Sequence, residues 1–130
     1  MKILLTTDGN PAAIHAISLA VKALNMKDAN VLVVSVLNPE LHTGGNQDAT
    51  SDLNGGLELL RATGITAAAE LLRGTDYADA ILSKAEAFGA DVIVMGSSHK
   101  SRLQKALLGS VSAAVATRST RPVLVVPYHP

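Results

Sequence analysis

Apolar runs and turn residues alternate along this chain, and the spacing of the apolar positions switches repeatedly between that of a strand and that of a helix. Residues 2–7 are a short run rich in Leu and Ile, ended by Asp8-Gly9-Asn10-Pro11. Such a sequence hands a strand over to a helix: Asn10 suits the cap and Pro11 the first helical position, where its missing N–H is not needed. The helix is expected to run to about Asn25. Ile14, Ile17, Val21 and Leu24 recur at helical spacing as its buried face, with His15 and Lys22 outside that stripe.

Residues 31–37 are almost continuously apolar, the pattern of a strand covered on both faces. Residues 38–56 are rich in Gly, Asn, Asp and Thr and read as a mobile loop, with a short helix over about 53–62 emerging from it. Gly64 stops that helix, and 65–72 is a weaker third strand whose alanines fit a helix equally well. The next helix opens at Gly74-Thr75-Asp76, with Thr75 or Asp76 as cap. Ala78, Ile81, Leu82, Ala85 and Phe88 lie on one side of it, and Gly89 ends it. Residues 91–95 form a compact buried strand followed by Gly96-Ser97-Ser98, then a loop to Gly109-Ser110. A further helix turns Val111, Ala114 and Val115 inward and ends near 117–120. Residues 122–127 are the last strand, with a proline at each end.

Regular alternation of strand and helix implies a parallel sheet with right-handed crossovers. The expected fold is α/β, a doubly wound five-stranded parallel sheet of order 3-2-1-4-5 with helices on both faces, in a single domain over residues 1–130. Composition agrees. Val, Ile, Leu and Ala supply nearly all the apolar content, with one Phe, two Tyr and no Trp, which suits helices packed on a parallel sheet. Eleven basic residues balance eleven acidic ones, so no broad basic field advertises a nucleic acid or an anionic membrane. The absence of cysteine removes disulfides, thiolate metal sites and cysteine nucleophiles together, and fits a reducing compartment. Asp8 arrives before a signal-peptide apolar segment could form, and the run at 31–37 is far shorter than the roughly 20 residues that span a bilayer. The expected location is the cytoplasm.

In open parallel sheets, ligands bind beyond the carboxyl ends of the strands where the strand order reverses. With the order 3-2-1-4-5, Asp8 and Gly96 face each other across that crevice. Asp8 either accepts hydrogen bonds from ribose hydroxyls or caps the first helix. Gly96 and Gly109-Ser110 flank a loop carrying His99, Lys100, Arg102 and Lys105. Glycines let backbone N–H groups approach phosphate oxygens and a helix-start serine adds donors, whereas the plain reading is ordinary turns and a solvated cationic face. Sharper motifs are missing: there is no dinucleotide G-x-G-x-x-G, no P-loop and no G-x-S-x-G elbow. Ser97, Ser98, His99 and Asp8 contain the residue types of a triad, but sequence gives no geometry, and a surface histidine beside loop serines is the favoured reading. The four histidines lack paired ligand spacing, so zinc is unsupported.

The order of elements, the Thr7-Asp8-Gly9 turn, the segment from Ala90 through Met95 to Gly96-Ser97, and Leu107-Leu108-Gly109-Ser110-Val111-Ser112 together resemble the universal stress protein family over essentially the whole chain. ATP-binding members carry glycine, two residues, glycine, nine residues, then glycine with serine or threonine. Gly96, Gly109 and Ser110 match this motif, while His99 occupies the second glycine position. The resemblance implies that Asp8 meets the ribose, that the backbone of Val36 contacts adenine, and that Gly96, Gly109 and Ser110 hold the phosphates. The implied ligand is ATP, with Mg, or AMP or another adenine nucleotide. If the His99 position needs a left-handed backbone, a non-glycine residue there costs on the order of 1–2 kcal/mol. That is about tenfold in affinity, so binding is weakened but detectable.

The resemblance also implies a homodimer joined along the last strand, Val123, Leu124, Val125 and Val126, which would otherwise be a bare apolar edge. No catalytic base or nucleophile is identifiable, so any ATP hydrolysis is slow and incidental. The expected function is nucleotide-dependent action in stress response or signalling. The alternative is a dimeric interaction module of the same fold that binds no nucleotide. A phospho-acceptor is disfavoured, because the chain offers one strand-end carboxylate at Asp8 where such domains use an acidic pair, and Val126-Pro127 where they use a lysine.

Overall fold

The computed structural model describes residues 1–40, 45–98 and 110–128, with the backbone alone at 45–48 and 98. Strands and helices alternate: β1 (Lys2–Thr6), α1 (Pro11–Ala23), β2 (Asn30–Leu37), α2 (Gly45–Ala62), β3 (Ala67–Arg73), α3 (Tyr77–Phe88), β4 (Val92–Ser98), α4 (Ser110–Arg118) and β5 (Val123–Tyr128). The strands form one five-stranded sheet in the order β3-β2-β1-β4-β5, and every neighbouring pair is parallel. The switch in strand order falls between β1 and β4, as the sequence predicts.

The strand alternation divides the core into two layers. Ile3, Leu5, Val31, Val33 and Val94 point to one face, where Ala16, Ile17 and Ala20 of α1 and Leu53 and Leu60 of α2 cover them. Leu4, Leu32, Val34, Ile93 and Met95 point to the other, beneath Ala78, Ile81 and Ala85 of α3 and Val115 of α4. Each large aliphatic side chain fully buried in this way contributes roughly 1.5–3 kcal/mol. Among the described residues no helix is long and apolar enough to cross a membrane.

Several boundaries and faces differ from expectation. The buried face of α1 is Ala12, Ala13, Ala16, Ile17 and Ala20, while Ile14, Val21 and Leu24 are only half-buried. Small side chains bring this helix close to the sheet, which leaves the larger ones at the rim. Helix α2 starts at Gly45, so the second half of the expected loop is helical. Buried Ala49, Leu53, Gly56 and Leu60 recur at helical spacing, and a Cβ at Gly56 would lie 3.2 Å from Val33 Cγ1. The polar composition of this stretch concealed a helix seated on β2 through a glycine.

The third segment is a strand, paired with β2 from Val31↔Ala67 to Leu37↔Arg73. As an edge strand with Ala68, Ala69 and Glu70 exposed, it lacks the apolar density that marks the central ones. Strand β4 continues through Gly96 to Ser98, and Pro127 lies inside β5 rather than at its limit, because Gly96, Ser97 and Ser98 pair with Val126, Pro127 and Tyr128. A proline is tolerated there because β5 is an edge.

Candidate functional site

The turn after β1 is held by the side chains of Thr7, Asp8 and Asn10. The backbone N–H of Thr7 donates to Val34 O at 2.9 Å, carrying the β1–β2 ladder one residue past the strand. Gly9 N–H then donates to Thr7 Oγ1 (3.1 Å), Asn10 N–H to Asp8 Oδ1 (2.9 Å), and Ala12 N–H to Asn10 Oδ1 (3.1 Å). Asn10 is therefore the N-cap of α1 with Pro11 following it, and Asp8 serves the turn rather than the helix. Gly9 adopts φ +75°, a left-handed conformation that favours glycine. The Asp52 side chain of α2 lies against it, in the space that a Cβ would take.

This turn forms one side of a crevice of about 310 Å³ at the carboxyl ends of β1, β2 and β4. That volume sits at the lower end of the ~300–1,000 Å³ usual for small-molecule sites. Asp8, Val36 and Gly96 all line it, so the structure brings together three of the expected site residues. Ser110 opens α4 and is exposed, immediately before Val111, which lines the crevice. His99 and Gly109 lie outside the described residues.

The crevice lining combines polar and apolar side chains. Thr7, Asp8 and Asn10 stand on the turn, while Val36, Ile81, Met95 and Val111 extend the second core layer out to the opening. Ser35 and Tyr77 also line it. Sequence reasoning did not single out Tyr77, the first residue of α3. The signal was available: it follows the expected Thr75-Asp76 cap, and a helix start after a parallel strand lies at the same end of the sheet as the strand termini.

Gly96 has a structural reason of its own. A Cβ there would stand 2.6 Å from the Ala12 carbonyl carbon and 2.9 Å from Ala13 N, so the first turn of α1 rests directly on β4. The donors of that turn are occupied as well. Ala12 N–H bonds to the Asn10 side chain, and the N–H groups of Ala13 and Ile14 bond to Asn10 O at 2.9 and 3.2 Å. The start of α1 therefore presents no ready anion cradle, unlike the helix N-termini used for phosphate in other folds.

Beside Tyr77, Asp76 caps α3 by accepting from Asp79 N–H (3.0 Å) and meets Arg118 Nη2 of α4 at 3.2 Å. The Asp79 N–H, with the Arg118 guanidinium adding to it, holds the Asp76 carboxyl below its ordinary value. Among the described residues no three acidic or histidine side chains are grouped to hold a metal ion.

The sheet order and the position of the crevice define a doubly wound α/β protein with its candidate ligand site at the topological switch point. A model of the universal stress protein family matches residues 1–127, and the chain belongs to that family. Universal stress protein MJ0531 of Methanocaldococcus jannaschii is 33% identical over 138 residues, covering 96% of this chain and 81% of that protein. A universal stress protein of Archaeoglobus fulgidus superposes with a TM-score of 0.85 at 25% identity, covering 97% of this chain and 98% of that one. The fold is also shared, at 22% identity and a TM-score of 0.76 over 97% of both chains, with an Archaeoglobus fulgidus universal stress protein solved in complex with dAMP.

Proposed function

We propose that the chain binds an adenine nucleotide in the crevice between the ends of β1 and β4 and acts in stress response or signalling through the bound state. The observation that carries this reading is the crevice itself, whose lining combines the Asp8 carboxylate with apolar side chains that include Val36. A nucleotide has the same combination, a polar sugar and phosphates with an apolar, planar base. The dAMP complex of a protein with this fold supports the same ligand class.

On this reading Asp8 accepts from the ribose hydroxyls and the Val36 backbone contacts the base. Gly96, Gly109 and Ser110 hold the phosphates of ATP, with Mg as counter-ion, and His99 weakens their hold. The donors at the start of α1 are already bonded, which favours the start of α4 as the phosphate side of this reading. With no nucleophile or base assigned, occupancy rather than turnover carries the signal. A cytoplasmic homodimer joined through Val123 to Val126 completes the proposal, and a monomer mass by light scattering would count against that part of it.

Calorimetric titration with ATP tests the reading: binding is expected, weaker on Asp8→Ala and tighter on His99→Gly. Absence of heat or displacement at millimolar ATP would remove it.

A specific observation favours a second reading, an interaction module whose crevice holds no nucleotide. Asp8 Oδ1 is engaged by its own turn, and Gly96 is required by the approach of α1, so two of the matching residues have a use without a ligand. Unchanged ATP response on His99→Gly would support it.

A further inference from the structure

The crevice is lined by an aromatic residue in a chain that has very few. Tyr77 lines the crevice and is half-buried. The chain's other tyrosine, Tyr128, pairs with His15 at 5.5 Å between ring centroids, and its phenylalanine, Phe88, lies 5.6 Å beneath the Lys2 ammonium. Among the described residues that line the crevice, Tyr77 is the one aromatic.

Its backbone is fixed. Asp76 caps the helix at the preceding residue, Ala80 N–H donates to Asp76 O at 3.1 Å, and Arg118 reaches across from α4 to the same carboxylate. Tyr77 therefore stands on the rigid start of a helix, and Val36 at the end of β2 belongs to the same apolar lining. A lining that combines an aromatic residue, apolar side chains and a carboxylate suits a ligand that has a flat π-faced part and a part rich in hydroxyls.

We propose that Tyr77 is a specificity-determining residue of the crevice, its ring forming one wall of a base subsite on which the heterocycle of a nucleotide stacks. The inference rests on the nucleotide reading given above and adds the group that receives the base. Stacking is tolerant of base identity because every base has a π-face. Tyr77 thus distinguishes a ligand with a base from one without, and favours purines over pyrimidines by overlap area, without separating adenine from guanine.

The test is calorimetric titration of the wild-type protein, Tyr77→Phe, Tyr77→Leu and Tyr77→Ala with ATP and with inorganic triphosphate, after thermal melts have shown each variant folded. Wild-type protein should bind ATP, Tyr77→Phe should stay within about twofold, and Tyr77→Ala should be weaker on the order of tenfold. Tyr77→Leu should fall with Tyr77→Ala, and the affinity for triphosphate should be the same in all four proteins. Upfield shifts of the Tyr77 ring protons on adding ATP give an independent signature of stacking. If wild-type protein binds ATP and Tyr77→Ala or Tyr77→Leu binds it within twofold, the Tyr77 role is overturned while the crevice reading stands. A parallel tenfold loss of triphosphate binding would also overturn it, since the variant would then act on the whole site. If wild-type protein binds no nucleotide, the crevice reading falls and takes the Tyr77 role with it.

Discussion

Replacing Gly96 with alanine adds one methyl group where β4 and the first turn of α1 touch. The new carbon would sit 2.6 Å from the Ala12 carbonyl carbon and 2.9 Å from Ala13 N, against an ordinary carbon contact of about 3.5–4.0 Å. The obstructing atoms are backbone, so no rotamer change relieves the contact, and the helix must retreat by roughly 1 Å. Strand β4 cannot yield instead, because it is paired on both sides, to β1 and to β5. The retreating helix carries Ala16, Ile17 and Ala20, which are essentially fully buried, so their packing loosens with it. Overpacking of this kind costs about 1–3 kcal/mol. With a urea slope of about 1–3 kcal/mol per molar, the midpoint of unfolding should fall by about 1 M. Gly55→Ala is the control: it lies in α2, nothing stands within 4 Å of its added carbon, and helix propensity should make it stabilising by up to ~1 kcal/mol. A Gly96→Ala protein as stable as the wild type would refute the packing argument, and loss of ATP binding without loss of stability would assign the glycine to the ligand alone.

Gly9→Ala faces both a left-handed backbone (φ +75°) and the Asp52 side chain, so it should destabilise by more than the ~1–2 kcal/mol of the conformation alone. In an Asp52→Ala background the penalty should shrink toward that figure, and a double-mutant cycle on urea midpoints with no coupling would contradict the contact. Asn10→Ala removes the oxygen that accepts from Ala12 N–H and should cost about 1 kcal/mol in the same assay, whereas a neutral result would mean that the cap is replaced by water. The Asp76 carboxyl is held below its ordinary value in the folded state. Its stabilising contribution is thus present above the unfolded carboxylate value near pH 4 and lost as pH falls through the lower folded value. The stability gap between the wild type and Asp76→Asn should close in acid, and a gap constant with pH would refute the assignment.

The fold was legible because its central strands announce themselves. Residues 31–37 read as a strand buried on both faces, and the structure places Val31 and Val33 in one core layer and Leu32 and Val34 in the other. The cap at Asn10 and the stop at Gly89 were equally plain, since each uses a side chain or a left-handed φ that few residues supply, while the structure chooses Asp76 over Thr75 as the cap of α3. The first half of α2 was hidden because its buried stripe passes through Ala49 and Gly56, residues that carry little hydrophobic signal. For the same reason the apolar stripe Ile14, Ile17, Val21 and Leu24 marks the face of α1 only at Ile17, which meets the sheet together with Ala12, Ala13, Ala16 and Ala20. At the site, Asp8, Val36 and Gly96 could be found from strand ends and the switch-point rule. The contact of Gly96 with Ala12 joins residues far apart in sequence, and no local pattern records it. Tyr77 was overlooked because the rule was applied to the ends of strands and not to the helix that starts beside them.

The central claim is that an adenine nucleotide occupies the crevice at the switch point, and backbone amide shifts followed during titration with ATP test it most directly. Saturable shifts are predicted to cluster at Asp8, Val36, Tyr77, Gly96 and Ser110, with the amino-terminal ends of β1 and β2 unmoved. No saturable shift up to millimolar ATP, or shifts confined to the β3 or β5 edge, would contradict the account.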